Sequence, residues 1–323
     1  MREALRSVGF RAMGTFCLLS VSPRGDDELS ARRALAAGKA EVTACELALS
    51  RFDRASDLTR ANAAAGSWVA VDERLVGALA QARRMRDETG GLFDPTVLPA
   101  LIAAGYDRTF EQLADRPPLR PVGWNQGGTI ELDDAAGMVR VAAGTQVDLG
   151  GIGKGFAAER ALGAMRVAWP AIPGAVVDLG GDVAVLGTPP GGGDWHVGVA
   201  DPQTSSTVAT LRVPHGGVAT SGRSCRRFGP GRQLHHLIDP ATGAPAASPE
   251  VTVTVVASSA PRAEAHATAV AVLGLDGASA YLHARPHLGA LIAADGESPV
   301  AIGEIALVNE PRRLLLTLPT LAR

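Results

Sequence analysis

The spacing of apolar positions divides the chain into a helix-rich first half and a strand-rich second half. An Ala-rich stretch over residues 26–49 carries acids in its first turn, where the helix dipole favours them, and it predicts a long helix. A second helix is predicted over 73–89, after the capping residue Asp72. The polar stretch Ser50–Asn62 between them is expected to be irregular. The predicted helices over 26–49 and 73–89 therefore lie on either side of this polar stretch.

Strand-like alternation dominates the rest of the chain. Residues 129–132 and 138–142 alternate in polarity across Asp133 and Asp134, which predicts a hairpin. Further strands are predicted over 10–23, 175–186, 195–199, 208–213, 217–220, 234–238 and 251–257, and helices over 156–168, 261–273, 276–284 and 287–293. The pattern predicts an α+β fold in which helices pack against a mixed β-sheet, as a single domain over residues 1–323.

Composition and charge exclude several classes of protein. The net charge is −2, without the basic excess typical of nucleic-acid binding. The three cysteines are far apart and have no CxxC spacing, so neither a disulfide framework nor a zinc site is expected. No apolar run reaches the length of a membrane span, and the first residues make a poor signal peptide, so we expect no membrane insertion and a cytoplasmic location.

The Gly-rich segment from Asp148 to Phe156 leaves a predicted strand and enters a predicted helix. Such a junction offers backbone N–H groups and a positive dipole end to an anion. It is not a P-loop, because Gly155 follows Lys154 where Ser or Thr should stand, and its glycine spacing is not that of the dinucleotide fingerprint. Phosphate binding and a purely structural turn both remain open on the pattern alone.

Two other segments carry candidate chemistry. The pair His235-His236 precedes an Asp-Pro turn at 239–240, and one of the two histidines is expected to reach a cleft. Glu264 and Thr268 are four residues apart on a predicted helix, which places a carboxylate and a hydroxyl on one face. Two oxygens there suit a hard cation such as Mg²⁺, whereas a solvated Glu and a backbone-bonded Thr are the simpler interpretation.

In this order and spacing, the segments resemble the ApbE family of FAD:protein FMN transferases. The resemblance spans roughly residues 13–274 and most of the chain. It rests on Met-Gly-Thr at 13–15, Ser-x-Phe…Asn at 50–62, Gly-x-Phe-Asp-Pro-Thr-Val at 91–97, Asp-Leu-Gly-Gly-Ile-x-Lys-Gly at 148–155, Ala-Thr-Ser-Gly at 219–222, His-x-Ile-Asp-Pro-x-Thr-Gly at 236–243 and Ala-(acid)-Ala-x-Ala-Thr at 263–268.

The resemblance implies a T-fold-like domain and a role for each matching residue. Mg²⁺ is expected at Glu264, Thr268 and the carbonyl of Gly151, and His236 is expected beside the acceptor hydroxyl. The implied reaction moves the FMN half of FAD onto a Ser or Thr hydroxyl in a motif of a partner protein and releases AMP. The residues implied to line the FAD site are Met13, Phe52, Leu92, Phe93, Asp94, Asp148, Lys154 and Ile238.

The chain departs from the family pattern at three places. Glu264 stands where the family usually has Asp, and Phe52 lacks the hydroxyl that is common there. The stretch 223–226 carries two arginines where a Tyr is often found. Two alternatives therefore stay open: an Mg²⁺-dependent FAD pyrophosphatase that yields FMN and AMP, and a non-catalytic FAD-binding protein with a degenerate metal site.

Overall fold

The secondary structure comes from a computed structural model that describes residues 4–25, 27–113, 126–201, 206–223, 227–229, 231, 234–247, 251–294 and 299–308. Six α-helices lie within these ranges: α1 Glu28–Leu49, α2 Asp57–Ala63, α3 Glu73–Glu88, α4 Leu98–Ala103, α5 Gly153–Ala168 and α6 Ala260–His283. The strands of the first half are β1 Arg6–Ala12, β2 Thr15–Val21, β3 Trp68–Ala70, β4 Ile130–Asp133 and β5 Met138–Val141. Those of the second half are β6 Gly174–Leu179, β7 Asp182–Gly187, β8 Trp195–Ala200, β9 Thr207–Val213, β10 Gly216–Gly222, β11 Arg227–Phe228, β12 Leu234–His235, β13 Ile238–Asp239, β14 Ala244–Pro245, β15 Val251–Ala257, β16 Gly289–Ala294 and β17 Val300–Gly303.

One eight-stranded sheet organises the fold, in the order β1-β2-β6-β7-β10-β15-β16-β17. Helices α1, α5 and α6 pack on one face of it, and the β8–β9 hairpin packs on the other. The predicted α+β class is thereby confirmed. All pairings of the sheet are antiparallel among the described residues, where the sequence predicted a mixed sheet. Short turns join β1 to β2 and β6 to β7, whereas β2 and β6 are neighbours that lie far apart in the chain.

Strand β7 shows how the sheet directs side chains to the site. Val183 and Val185 join the apolar cluster under the β8–β9 hairpin, whereas Ala184 joins the cluster under the helices. Because side chains alternate along a strand, Asp182 faces the helical side with Ala184. A carboxylate is thus buried on the side of the sheet from which α5 and α6 approach.

Two predicted strands are in fact pairs of strands. The segment 10–23 turns back at Met13 and Gly14, which have φ values of 51° and 68°. The segment 175–186 turns back at Gly180 and Gly181, with φ values of 70° and 97°. Glycine adopts this left-handed backbone without strain. Met13 adopts it at a cost in free energy, and strained residues of this kind cluster at functional sites.

Two further local predictions were wrong, and one was confirmed. The polar stretch 50–62 includes the start of α2, whose N-cap Ser56 accepts a hydrogen bond from the backbone of Thr59. Most of the segment 287–293 lies in β16 rather than in a helix, because residues from Gly289 onward pair with β15. The two helices predicted over 261–273 and 276–284 are confirmed as the two arms of α6, which meet at a kink where Gly274 has a non-helical backbone.

In the described part of the chain, no helix combines the length and apolarity needed to cross a bilayer. The cytoplasmic location stays a prediction. Cys17 and Cys45 are buried free thiols, as the cysteine spacing indicated, and Cys225 lies outside the described residues.

Candidate active site

A cleft made of two adjoining cavities, of about 190 and 570 Å³, contains every residue that the sequence assigned to the site. Met13 lines the larger cavity, which we call the outer chamber. His236, Ile238, Glu264 and Thr268 line the smaller one, the inner chamber, together with Leu92, Phe93, Asp94 and Gly151. Seven residues line both chambers and form the junction between them: Arg51, Phe52, Tyr106, Asp148, Gly150, Lys154 and Gly180.

The Gly-rich turn, which contributes Asp148, Gly150 and Lys154 to the junction, forms hydrogen bonds within the protein. Asp148 accepts from the Gly150 N–H at 2.8 Å, so the carboxylate closes the turn. The N–H groups of Ile152 and Gly153 donate to the Leu149 carbonyl. The N–H of Gly155 donates to Glu264 at 2.7 Å. The backbone donors that the sequence offered to a phosphate are therefore largely engaged within the protein.

Lys154 lies between two buried carboxylates, those of Asp182 and Glu264. Its ammonium contacts Glu264 Oε1 at 2.8 Å and also Asp182 Oδ2. The side chains of Asp182 and Glu264 are 2% and 3% exposed. Two buried carboxylates thus share one ammonium group beside the inner chamber. Sequence reasoning did not assign Asp182, although the repeated Asp-Leu-Gly-Gly motif at 178–181 directly precedes it.

Thr268 and Gly151 also line the inner chamber and lie close to each other. A Cβ atom at Gly151 would lie only 3.3 Å from Thr268 Oγ1 and 3.2 Å from the Phe93 ring, so the glycine allows this close approach. Thr268 Oγ1 is also 3.4 Å from Ser221 Oγ. Among the described residues, no three His, Cys, Asp or Glu side chains are grouped as metal ligands. The predicted donors are instead one carboxylate, one hydroxyl and one backbone carbonyl, all hard oxygens of the kind that Mg²⁺ prefers.

The structure separates the roles of the two neighbouring histidines. His235 is 6% exposed, and its Nε2 lies 3.2 Å from the Ala246 carbonyl. Burial, followed by the charge of Arg223, lowers the pKa of His235 to about 4. His236 instead lines the inner chamber. It lies in a bend between β12 and β13, not in the single strand that the sequence predicted.

Asp94 presents a buried acceptor to the inner chamber. Its Oδ1 accepts from the backbone N–H and the hydroxyl of Thr96, at 2.8 and 2.6 Å. Its Oδ2 is buried without a hydrogen-bond partner in the described part of the chain, and Arg86 Nε is 3.5 Å away. A buried carboxylate oxygen without a donor is costly, so this atom suits an N–H donor from a ligand.

Aromatic rings and one guanidinium form the junction wall. The guanidinium carbon of Arg51 is 4.1 Å from the Phe52 ring centre and 4.6 Å from that of Tyr106. Arg51 Nε also pairs with Asp148 Oδ2 at 2.6 Å. Tyr106 brings an aromatic hydroxyl side chain next to Phe52, the position where the family usually has one. Sequence reasoning assigned neither Arg51 nor Tyr106.

Comparisons with known structures and sequences place the chain in the class of the flavin transferases. The crystal structure of the ApbE protein from Thermotoga maritima matches 94% of this chain and 97% of its own with a TM-score of 0.75 and 27% identity. The flavinyl transferase ApbE of Pseudomonas stutzeri matches with a TM-score of 0.73 at 20% identity, over 94% and 96% of the two chains, which bears on the fold alone.

Sequence relatives agree with this class. The FAD:protein FMN transferase of Treponema pallidum (strain Nichols) is 33% identical over 267 residues, which cover 76% of this chain and 73% of the relative. That of Klebsiella pneumoniae (strain 342) is 28% identical over 300 residues, or 89% and 84% of the two chains. The sequence model of the ApbE family matches residues 13–292. The chain belongs to the ApbE family.

Proposed function

We propose that the protein is an Mg²⁺-dependent FAD:protein FMN transferase, acting as a single domain over residues 1–323. The observation that carries the proposal is the convergence of all twelve assigned positions, drawn from segments between residues 13 and 268, on one two-chambered cleft. A dinucleotide has two bulky halves and a diphosphate link, which suits two chambers that meet at a junction. Family membership supports the same activity.

The reaction balances as a phosphoryl-group substitution. A Ser or Thr hydroxyl of the acceptor protein attacks the FMN-side phosphorus of FAD and forms a phosphoester bond. The bond from that phosphorus to the bridging oxygen breaks, and AMP leaves with that oxygen. The hydroxyl proton passes to a base. His236 lines the inner chamber and is the side chain that we assign as this base.

Glu264, Thr268 and the carbonyl of Gly151 would hold Mg²⁺ in the inner chamber. The oxygen donors fit the ion, and the carboxylate pair of Asp182 and Glu264 supplies an excess of negative charge beside it. When bound, Mg²⁺ would offset the charge that develops on the diphosphate oxygens. Lys154 would add a fixed positive charge from the protein itself.

Binding of FAD would use groups that the structure already holds in place. Asp94 Oδ2 is the buried acceptor available to an N–H group of the ligand. Phe52, which is 41% exposed, offers a ring face for stacking. Leu92, Phe93 and Ile238 supply the apolar walls of the inner chamber.

The test is to incubate the purified protein with FAD, Mg²⁺ and an acceptor protein carrying a Ser/Thr flavinylation motif. We expect the acceptor protein to carry covalently bound FMN, seen as a fluorescent protein band, and we expect a matching amount of AMP. An acceptor variant with Ala in place of the Ser or Thr is the control. AMP and FMN without any labelled acceptor would overturn the transferase proposal in favour of FAD hydrolysis. FAD binding without AMP would indicate a non-catalytic flavin-binding protein.

A further inference from the structure

Arg51 lies at the junction where the two chambers meet, and its side chain is 7% exposed. Its Nη2 is buried and has no hydrogen-bond partner among the residues that the structure describes. A buried charged donor without an acceptor costs more than a neutral one, because it has lost water without replacing it. An arrangement of this kind is stabilised when a ligand supplies the missing acceptor.

The surroundings hold Arg51 in one orientation. Asp148 fixes Nε at 2.6 Å, and the rings of Phe52 and Tyr106 lie against the guanidinium. The backbone on either side is also fixed, since Ser50 Oγ accepts from the N–H groups of Phe52 and Asp53 at 3.3 Å. A guanidinium fixed in this way loses little entropy when it binds an anion.

The junction is also where the diphosphate of a dinucleotide would lie, since this group links its two halves. Most backbone donors of the Gly-rich turn are engaged within the protein, so positive charge at the junction comes mainly from Arg51 and Lys154. Lys154 is already shared between two carboxylates. Arg51 is paired with one carboxylate and keeps an unused donor, and a guanidinium donor matches phosphate oxygen well.

We propose that Arg51 is a substrate-binding residue that donates a hydrogen bond from Nη2 to a diphosphate oxygen of FAD. The inference rests on the proposed function and adds a residue to it. The competing role is purely structural: Arg51 would only neutralise Asp148 and hold the aromatic rings. If the role is structural, replacing Arg51 should weaken the binding of every ligand of the cleft. If Arg51 contacts phosphate, the replacement should weaken only the binding of ligands that carry the diphosphate.

The experiment compares binding of FAD, which has the diphosphate, with binding of riboflavin, which has no phosphate, by quenching of flavin fluorescence. For Arg51→Gln we expect the Kd for FAD to rise about 10- to 100-fold, as for a lost hydrogen bond to a charged group. The Kd for riboflavin should stay within about threefold. Arg54→Gln is the matched control, because Arg54 is exposed on the same loop and lines neither chamber.

Arg51→Lys keeps the charge but not the planar fork, so an intermediate Kd for FAD is expected, with circular dichroism confirming that each variant is folded. In turnover, KM for FAD should rise more than kcat falls, because the contact is made to bound substrate as well as to the transition state. Equal losses for FAD and riboflavin, or an unchanged Kd for FAD, would overturn the proposal. Both of these results come from the variants, so neither would count against FMN transfer by the wild-type protein. A wild-type protein that binds FAD without transferring FMN would instead refute only the proposed function.

Discussion

Gly155 is where the start of α5 meets the start of α6, and the contact has no space for a side chain. A Cβ atom there would lie 2.6 Å from the Ala260 carbonyl oxygen and 2.8 Å from the Pro261 nitrogen. Ordinary carbon–oxygen contacts are about 3.3–3.6 Å, so Gly155→Ala must move the two helices apart by about 0.7 Å or more. Both neighbouring atoms belong to the backbone, so no side-chain rotation relieves the clash.

The cost of Gly155→Ala can be worked out from these contacts. Overpacking costs about 1–3 kcal/mol, and replacing Gly by Ala in a helix returns about 0.5–1 kcal/mol. The same shift strains the hydrogen bond from the Gly155 N–H to Glu264, which measures 2.7 Å and is worth about 1.5–3 kcal/mol. We expect the free energy of unfolding to fall by about 2–4 kcal/mol.

Urea unfolding followed by circular dichroism measures this loss directly. Gly163→Ala is the matched control, since Gly163 is an exposed residue of the same helix and nothing lies within 4 Å of its Cβ position. It should stabilise the protein by about 0.5–1 kcal/mol. The reasoning would be refuted by a Gly155→Ala protein as stable as the wild type, or by a Gly163→Ala protein that loses as much stability as Gly155→Ala.

Three further predictions concern the chemistry of the site. His236→Ala should lower the rate of FMN transfer about 10²- to 10⁴-fold while the Kd for FAD changes little, and an unchanged rate would remove His236 as the base. Glu264→Gln should abolish the rise in melting temperature on adding Mg²⁺, whereas Glu264→Asp should keep it, and an equal rise in both would argue against metal binding at Glu264. His235 should make stability increase as the pH rises from about 4 to its unfolded value near 6.5, because in that range the unfolded chain binds a proton that the folded chain does not. Urea unfolding of wild type and His235→Gln across this range should then show the shallower pH dependence in the variant, and parallel curves would contradict the assignment.

What the sequence predicted well is local. The turn at 148–155 and the pair Glu264 and Thr268 depend on spacing within one or two turns of chain, and both are where the pattern placed them. The wrong assignments depended on pairing. The run Gly-Ala-Leu-Ile-Ala-Ala at 289–294 is apolar enough for either a helix or a strand, and only its register with β15 makes it a strand.

The site residues that the sequence missed are the ones whose roles arise from distant contacts. Asp182 reaches Lys154 because the chain reverses at Gly180–Gly181, and the sequence pattern treated that region as one continuous strand. Arg51 lies in the polar stretch that follows α1, where an arginine is normally solvated, and it is buried because Tyr106 and Asp148 come from elsewhere in the chain. Neither contact produces a periodic pattern of residues in the sequence.

The charge balance of the inner chamber bears on the alternative of a degenerate metal site. Asp182 and Glu264 are both buried, and Lys154 offsets only one of their two charges. The N-terminus of α5, through Gly155, offsets about half a charge more. Uncompensated buried charge costs several kcal/mol, so a protein without use for a cation would gain stability by losing one carboxylate.

Glu264 also contacts both Lys154 and the Gly155 backbone, and a shorter Asp would have to give up one of these contacts or shift α6. The longer side chain is therefore built into the packing of α5 against α6.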